Sequence, residues 1–523
     1  MSIRSSAART GPTKSHGSTA CRRSPSRTSW SGPTNPESYA IIYKREGKDP
    51  DEQKIAAPKI TPIVTNRDSQ SEFLSEIQTS QVQPIEPVFV DYKKDMSQFE
   101  AQPGIDVLYK KNETNDIFTL IYVFNTGTEN DPALNLAFNY LSYLGTDKMT
   151  AEEIASEMYD IACSFYMNAG ANQSSIQITG LSENMGKAME IVEGLIAGAK
   201  PDEAILENLK GDMLKSRADA KLNQSRCFGA LQRYLFYGGD FIRRTTLTDP
   251  ALQALTSEQL LAKIGGLMGK QHEVLYYGPQ KEAEVKSALA EHHKVAADLQ
   301  PLEKKFSTLL PTDANKVVLA QYDAKQLYYL QFSNRGEKFD VAADPEITLY
   351  NEYFGGGMNT IVFQEMREAR GLAYTAWATL ATPSNANGDY SYYAFIATQN
   401  DKMQKAVEAF DDIINNMPES EKAFGIAKEA LVSRLRTERT VKDGVLWSYL
   451  RARDLGLDAP RDKQIFEKVQ SMTLDDVKAA QQKWVKGRKY VYGILGDIQD
   501  LDLNYLKTLG PIQTVSQEEI FGY

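Results

Sequence analysis

The sequence predicts an α+β protein made of two tandem homologous domains, each an antiparallel-rich β-sheet packed with helices. One observation is an internal repeat. Tyr143-Leu144-Gly145 matches Tyr353-Phe354-Gly355, Lys187-Ala188 matches Lys405-Ala406, Thr256 matches Thr473, and Tyr276-Tyr277-Gly278 matches Val491-Tyr492-Gly493, all at spacings of roughly 210 to 220 residues. So long a period means domain duplication, because solenoid arrays repeat every ~20–50 residues. Another is that β-rich runs bounded by turn residues alternate with longer segments of helical period.

In order, residues 1–35 contain no Asp or Glu and are rich in Ser, Arg, Thr and Pro. They lack the apolar core of a secretory signal. They are expected to be disordered, and read as a fusion or frame artefact, with an organelle transit peptide as the alternative. The compartment is left open. Residues 36–100 read as a remnant strand at Tyr39–Lys44 followed by a Pro-containing interdomain linker, with one helical turn near Ser71–Glu76. The first domain is placed at 101–300. Ile105–Tyr109 and Phe118–Phe124 read as a hairpin, and Pro132–Leu144 as a helix. Thr150 and Glu153 form a capping box for the next helix, as do Thr256 and Gln259 further on. Ser174–Ile178 and Val274–Tyr277 read as strands. Met185, Met189, Val192 and Ile196 recur at helical spacing, and Pro201 opens another long helix. The second domain is placed at 301–523. Its strands are Val317–Ala320, Leu327–Phe332, Tyr374–Leu380, Tyr390–Thr398 and Tyr490–Leu495. Its helices include Pro345–Tyr353, a stripe from Met403 to Met417, 419–436, 441–455 and one starting at Thr473–Asp476.

Composition narrows function. A net charge of −10 argues against a general nucleic-acid or acidic-membrane binder. No apolar run approaches the ~18 residues of a membrane span. Cys21, Cys163 and Cys227 are odd in number and far apart, so they suggest neither a disulfide framework nor a metal pattern. The chain has four histidines, His16, His272, His292 and His293. None has a partner at i+4. His292 and His293 are adjacent, so they face different directions on a helix and read as solvated surface residues. A self-contained zinc site is not expected, and the same scarcity argues against a Ser-His-Asp engine.

The most informative stretch is Phe354–Tyr374, FGGGMNTIVFQEMREARGLAY. Gly355, Gly356 and Gly357 cannot be helix interior at about 1 kcal/mol each, and read as a turn at a helix N-terminus. As a phosphate loop the run lacks both nucleotide fingerprints. Ile361, Val362, Phe363 and Met366 provide an apolar face, and Gly371 is the left-handed stop. Arg367 and Tyr374 are left at a helix-to-strand corner. A guanidinium and a phenol there can hold a substrate carbonyl, or equally serve as an ordinary ion-paired Arg and a half-buried strand aromatic.

With those residues the sequence resembles the pitrilysin/insulinase family of zinc metallopeptidases, the inverted zincins, over roughly residues 36–510. The run ending FQEMREARGLAY is similar to the signature of that family's non-catalytic C-terminal half. The resemblance implies a pitrilysin-type metallohydrolase fold, with Arg367 and Tyr374, seven residues apart, reaching a substrate peptide. The family's H-x-x-E-H zinc motif falls on the first domain's helix, where this chain has Leu136, Asn139 and Tyr140. The resemblance therefore implies a C-terminal, substrate-binding and chamber-closing half that binds no zinc itself and is inactive alone. Zinc is expected in a missing or partner N-terminal half or homologous subunit. The alternative it implies is a non-catalytic core-type subunit of the same family.

Overall fold

The computed structural model describes residues 71–523. Residues 83–523 form one packed unit, and the helix Glu72–Thr79 belongs to the other, amino-terminal unit. That helix has Ser71 as its N-cap, its side chain accepting from the Leu74 N–H. The expected disordered start and the strand at Tyr39–Lys44 lie outside the described residues.

The fold is α+β, with two six-stranded sheets. The first contains β1 (Ser97–Gln102), β2 (Ile105–Lys111), β3 (Ile117–Phe124), β4 (Cys163–Ala169), β5 (Ser174–Leu181) and β6 (His272–Gly278), in the order β1-β2-β6-β3-β5-β4. The second contains β7 (Lys316–Gln321), β8 (Gln326–Lys338), β9 (Thr375–Ala381), β10 (Asp389–Gln399), β11 (Val491–Gly496) and β12 (Ile512–Val515), in the order β12-β7-β11-β8-β10-β9. Five strands correspond, β2-β6-β3-β5-β4 with β7-β11-β8-β10-β9, and the sixth differs: β1 precedes β2 and is antiparallel to it, whereas β12 is last in sequence and parallel to β7. Within each sheet β2–β6 and β7–β11 are parallel, as is β12–β7, and the remaining pairs are antiparallel. The linker boundary drawn at residue 100 cuts through β1, which pairs with β2 across a bulge between Glu100 and Gln102.

The repeat is also corrected at one point. Val274 and Tyr276 face the first domain's own helices, as Tyr492 and Ile494 face the second's. The strand ends therefore correspond as Gly278 and Gly496. The match of Tyr276–Gly278 with Val491–Gly493 is three residues out of phase, and an odd slip turns every side chain to the wrong face.

Each sheet buries one face under its own helices, and these two layers hold most of the core. The opposite faces are covered by exchange. Helix Gln224–Thr245 of the first repeat lays Cys227, Phe228, Leu231 and Leu235 on Val318, Leu330, Phe332, Phe395 and Leu495 of the second sheet. Helix Gly444–Asp454 of the second repeat lays Val445, Leu446 and Leu450 on Leu108, Ile121, Val123 and Leu275 of the first. Neither helix is satisfied within its own domain, so the hydrophobic effect welds the domains together. A bidentate ion pair adds to this seam. Arg453 donates to both oxygens of buried Glu273, at 2.5 and 2.8 Å.

Candidate substrate corner and a buried histidine relay

The informative run folds differently from a simple glycine turn and helix. Helix Asp344–Tyr350 continues as a π-helical turn, Asn351–Gly355. Gly355 is therefore the end of the preceding helix, and not part of a turn at the next helix's N-terminus. It lies against β9, where a Cβ would stand 2.5 Å from the Ala378 carbonyl oxygen. Gly356 and Gly357 make the bend. The next helix starts at Ile361, after Thr360, whose hydroxyl donates to the Gly357 carbonyl at 2.7 Å. It runs on as π-helix over Gln364–Ala369 and stops at Gly371, which has φ +57°. Ile361, Val362 and Met366 are buried, as the apolar face requires. The Met366 carbonyl accepts from the Leu372 N–H at 2.9 Å, turning the chain into β9.

Arg367 and Tyr374 are brought together by this turn. The Arg367 guanidinium carbon lies 5.1 Å from the Tyr374 ring centroid and 4.9 Å from that of Phe363. Stacked between two ring faces, the guanidinium keeps its N–H edges for another acceptor. Its ion pair is a long one, 3.6 Å to neighbouring Glu368. Tyr374 is 70% exposed, and its hydroxyl has no hydrogen-bond partner among the described residues. Arg370, by contrast, is used by the fold, pairing with Glu365 and Asp412 at 3.4 and 3.1 Å. The corner thus presents two donors, the Arg367 guanidinium and the Tyr374 hydroxyl, at the surface.

His293 overturns its expected surface placement. His272 on β6 and His293, just past helix Glu282–His292, are both buried. Their Nε2 atoms face each other at 2.8 Å. His272 Nδ1 lies 2.8 Å from the Lys270 carbonyl, and His293 Nδ1 lies 2.5 Å from Glu193 Oε1. His292 turns away to Glu190, 3.3 Å distant, as adjacency on a helix requires. Three hydrogen bonds need three protons among four ring nitrogens, which leaves His272 Nε2 as the bare acceptor. Burial, with the nearby His293 charge, depresses His272 to about 4. The sequence carried one usable signal: His272 opens HEVLYYG, a nearly continuous apolar strand.

The positions corresponding to a zinc motif do not fit a metal. Leu136 and Tyr140 are core residues, and the Tyr140 hydroxyl is bonded to Ser257 Oγ at 2.7 Å and accepts from the Asp202 N–H at 2.7 Å. Asn139 is exposed. Among the described residues no group of three His, Cys, Asp or Glu side chains could hold a metal ion.

Residues 271–431 match the family described as the peptidase M16 inactive domain. Over those residues the chain resembles an M16 inactive domain. The inverted-zincin resemblance read from the repeat and the Phe354–Tyr374 run is thus supported by comparison. The chain is 22% identical over 266 residues to an uncharacterized zinc protease of Streptomyces coelicolor, an alignment covering 47% of this chain and 56% of that relative. Its fold is that of the M16 inactive domain from Pseudomonas fluorescens, at TM-score 0.61 and 18% identity over 77% of this chain and 98% of that one. It also superposes on the periplasmic protease PqqL of Escherichia coli at TM-score 0.59 and 14% identity, covering 84% of this chain and 49% of PqqL. The chain therefore spans about half the length of the proteases it matches. Among the described residues no helix is long and apolar enough to cross a membrane.

Proposed function

We propose that this chain is the substrate-binding, chamber-closing half of a zinc endopeptidase whose zinc and general base come from another half or subunit. The observation that carries the reading is the Arg367–Tyr374 stack, two donors held in register at the surface with no strong partner of their own. Such donors can hold a peptide carbonyl and take up charge as it becomes an oxyanion. The chain's own residues bind and orient; hydrolysis requires the metal-bearing partner. Its substrate class is then a peptide in extended form, since a folded chain would not offer its carbonyls singly to the pair.

The test is reconstitution with a zinc-bearing M16 half supplied in trans. The purified chain alone should leave an unfolded peptide intact. The reconstituted pair should cleave it, and Arg367→Ala should lower kcat/KM about a hundredfold. Chelator-sensitive cleavage by the chain alone would overturn the reading. So would a reconstituted pair indifferent to Arg367→Ala and Tyr374→Phe, which is the behaviour of a purely structural core subunit.

A further inference from the structure

Among the described residues the two sheets have four edge strands, and three of them are guarded. β1 carries the Glu100–Gln102 bulge and the charge of Glu100. β12 has only four residues. β9 is capped by Asn351, whose side chain donates to the Leu380 carbonyl at 2.9 Å and accepts from the Leu380 N–H at 2.8 Å, while Gly355 packs over the next outward carbonyl, that of Ala378. These are the devices by which monomeric proteins prevent edge-to-edge pairing.

β4 has none of them. Its sequence, CSFYMNA, contains no charge and no proline, and its pairing with β5 runs without a bulge. In the repeat, Leu141 stands where Asn351 stands in the second domain, and a leucine cannot cap an edge. The phase of the strand follows from its two ends, where Leu181 N–H donates to Ala162 and Gly170 N–H donates to Gln173. By alternation Ser164, Tyr166 and Asn168 pair inward with β5, and Phe165 and Met167 turn their N–H and C=O groups to the open edge. Among the described residues these outward groups have no backbone partner. Tyr166 is 64% exposed, and Ser164 and Asn168 are exposed beside it.

The strand is also complementary to itself. Antiparallel pairing about a two-fold axis at Tyr166 places Phe165 opposite Met167 of the second copy, with both sets of outward groups in hydrogen-bonding phase. Ser164 then faces Asn168 of the second copy, and the two Tyr166 rings meet at the axis. The polar pair and the aromatic pair are both favourable cross-strand neighbours, and Phe–Met supplies a sulfur–aromatic contact. A charged or asymmetric partner would find no counterpart on this strand.

We infer that β4 is an association edge at which a second copy of this chain adds its own β4, joining two six-stranded sheets across a two-fold axis at Tyr166. The interface is isologous, so one edge suffices and the assembly closes at two chains. It is independent of the Arg367 corner.

The experiment is sedimentation velocity on the full chain from about 1 to about 100 µM, a range that reports micromolar association. Wild type should dimerise. Tyr166→Lys and Tyr166→Glu each set like charges face to face at the axis and should weaken dimerisation about tenfold or more, with unchanged circular dichroism because the side chain is exposed. Mixing the two variants should restore a dimer, since Lys then faces Glu. As a second readout, Tyr166→Cys should cross-link with oxidised glutathione, because the facing Cα atoms of such a pair lie about 4.5 Å apart, within disulfide reach. A wild-type monomer whose Tyr166→Cys form does not cross-link overturns the inference. So does a dimer that survives both charge variants, or one abolished by removing residues 1–70 yet insensitive to Tyr166.

Discussion

Acid should loosen this protein through one residue, and the size of the effect follows from the relay. His272 titrates near 4 in the folded chain because it is buried beside His293, against about 6.5 in an unfolded chain. Below the unfolded value the unfolded state binds more protons, so stability falls as pH falls. The contribution is complete above pH ~6.5 and exhausted near pH ~4, and the whole shift is worth about 3 kcal/mol. Roughly 1 kcal/mol should be lost by pH 5.5 and most of the remainder by pH 4.5. Structurally, the extra proton lands on the His272 Nε2 that accepts from His293, so the 2.8 Å bond between them breaks. Other groups titrate over the same range, so the measurement is a difference. Urea unfolding of wild type and His272→Gln, followed by circular dichroism at pH 7.5, 6.5, 5.5 and 4.5, should converge by these amounts toward acid. A glutamine can still accept from His293 but does not titrate. Parallel loss of stability in the two proteins over that range would refute the assignment of His272 as the neutral acceptor.

Three further outcomes test other parts of the structure. Arg453→Ala should destabilise the chain by roughly 2–4 kcal/mol in urea melts, because it strands Glu273 in the seam, and Arg453→Lys should not fully restore it since the pair is bidentate. Gly355→Ala should cost a few kcal/mol, read as a lowered Tm, because the added methyl meets the Ala378 carbonyl and β9 must move. Arg367→Ala and Tyr374→Phe should each leave stability within about 0.5 kcal/mol, since Tyr374 is exposed, Arg367 is half-buried with only a long ion pair, and neither anchors the fold. Equal melts with unequal peptide affinity would separate a binding role from a structural one.

What the amino-acid sequence determined by itself was local or periodic. The capping boxes at Thr150 and Thr256 are present as read, and the helix expected from Thr473–Asp476 starts there, because a cap depends on residues three apart. Gly371 takes the positive φ expected of a helix stop. The duplication was visible because both copies must bury the same faces of the same strands, and the pairing of Arg367 with Tyr374 because a helix and its stop span so few residues. Tertiary structure decided the rest. Asn351 and Leu380 meet only once β9 lies beside the preceding helix. His293 becomes buried because Glu193, 100 residues earlier, and His272 converge on it, and no spacing along the chain encodes that meeting. The exchange of helices 224–245 and 444–454 was hidden for the same reason: an amphipathic helix announces that it needs an apolar surface, but which sheet supplies it depends on which sheet has a face left uncovered.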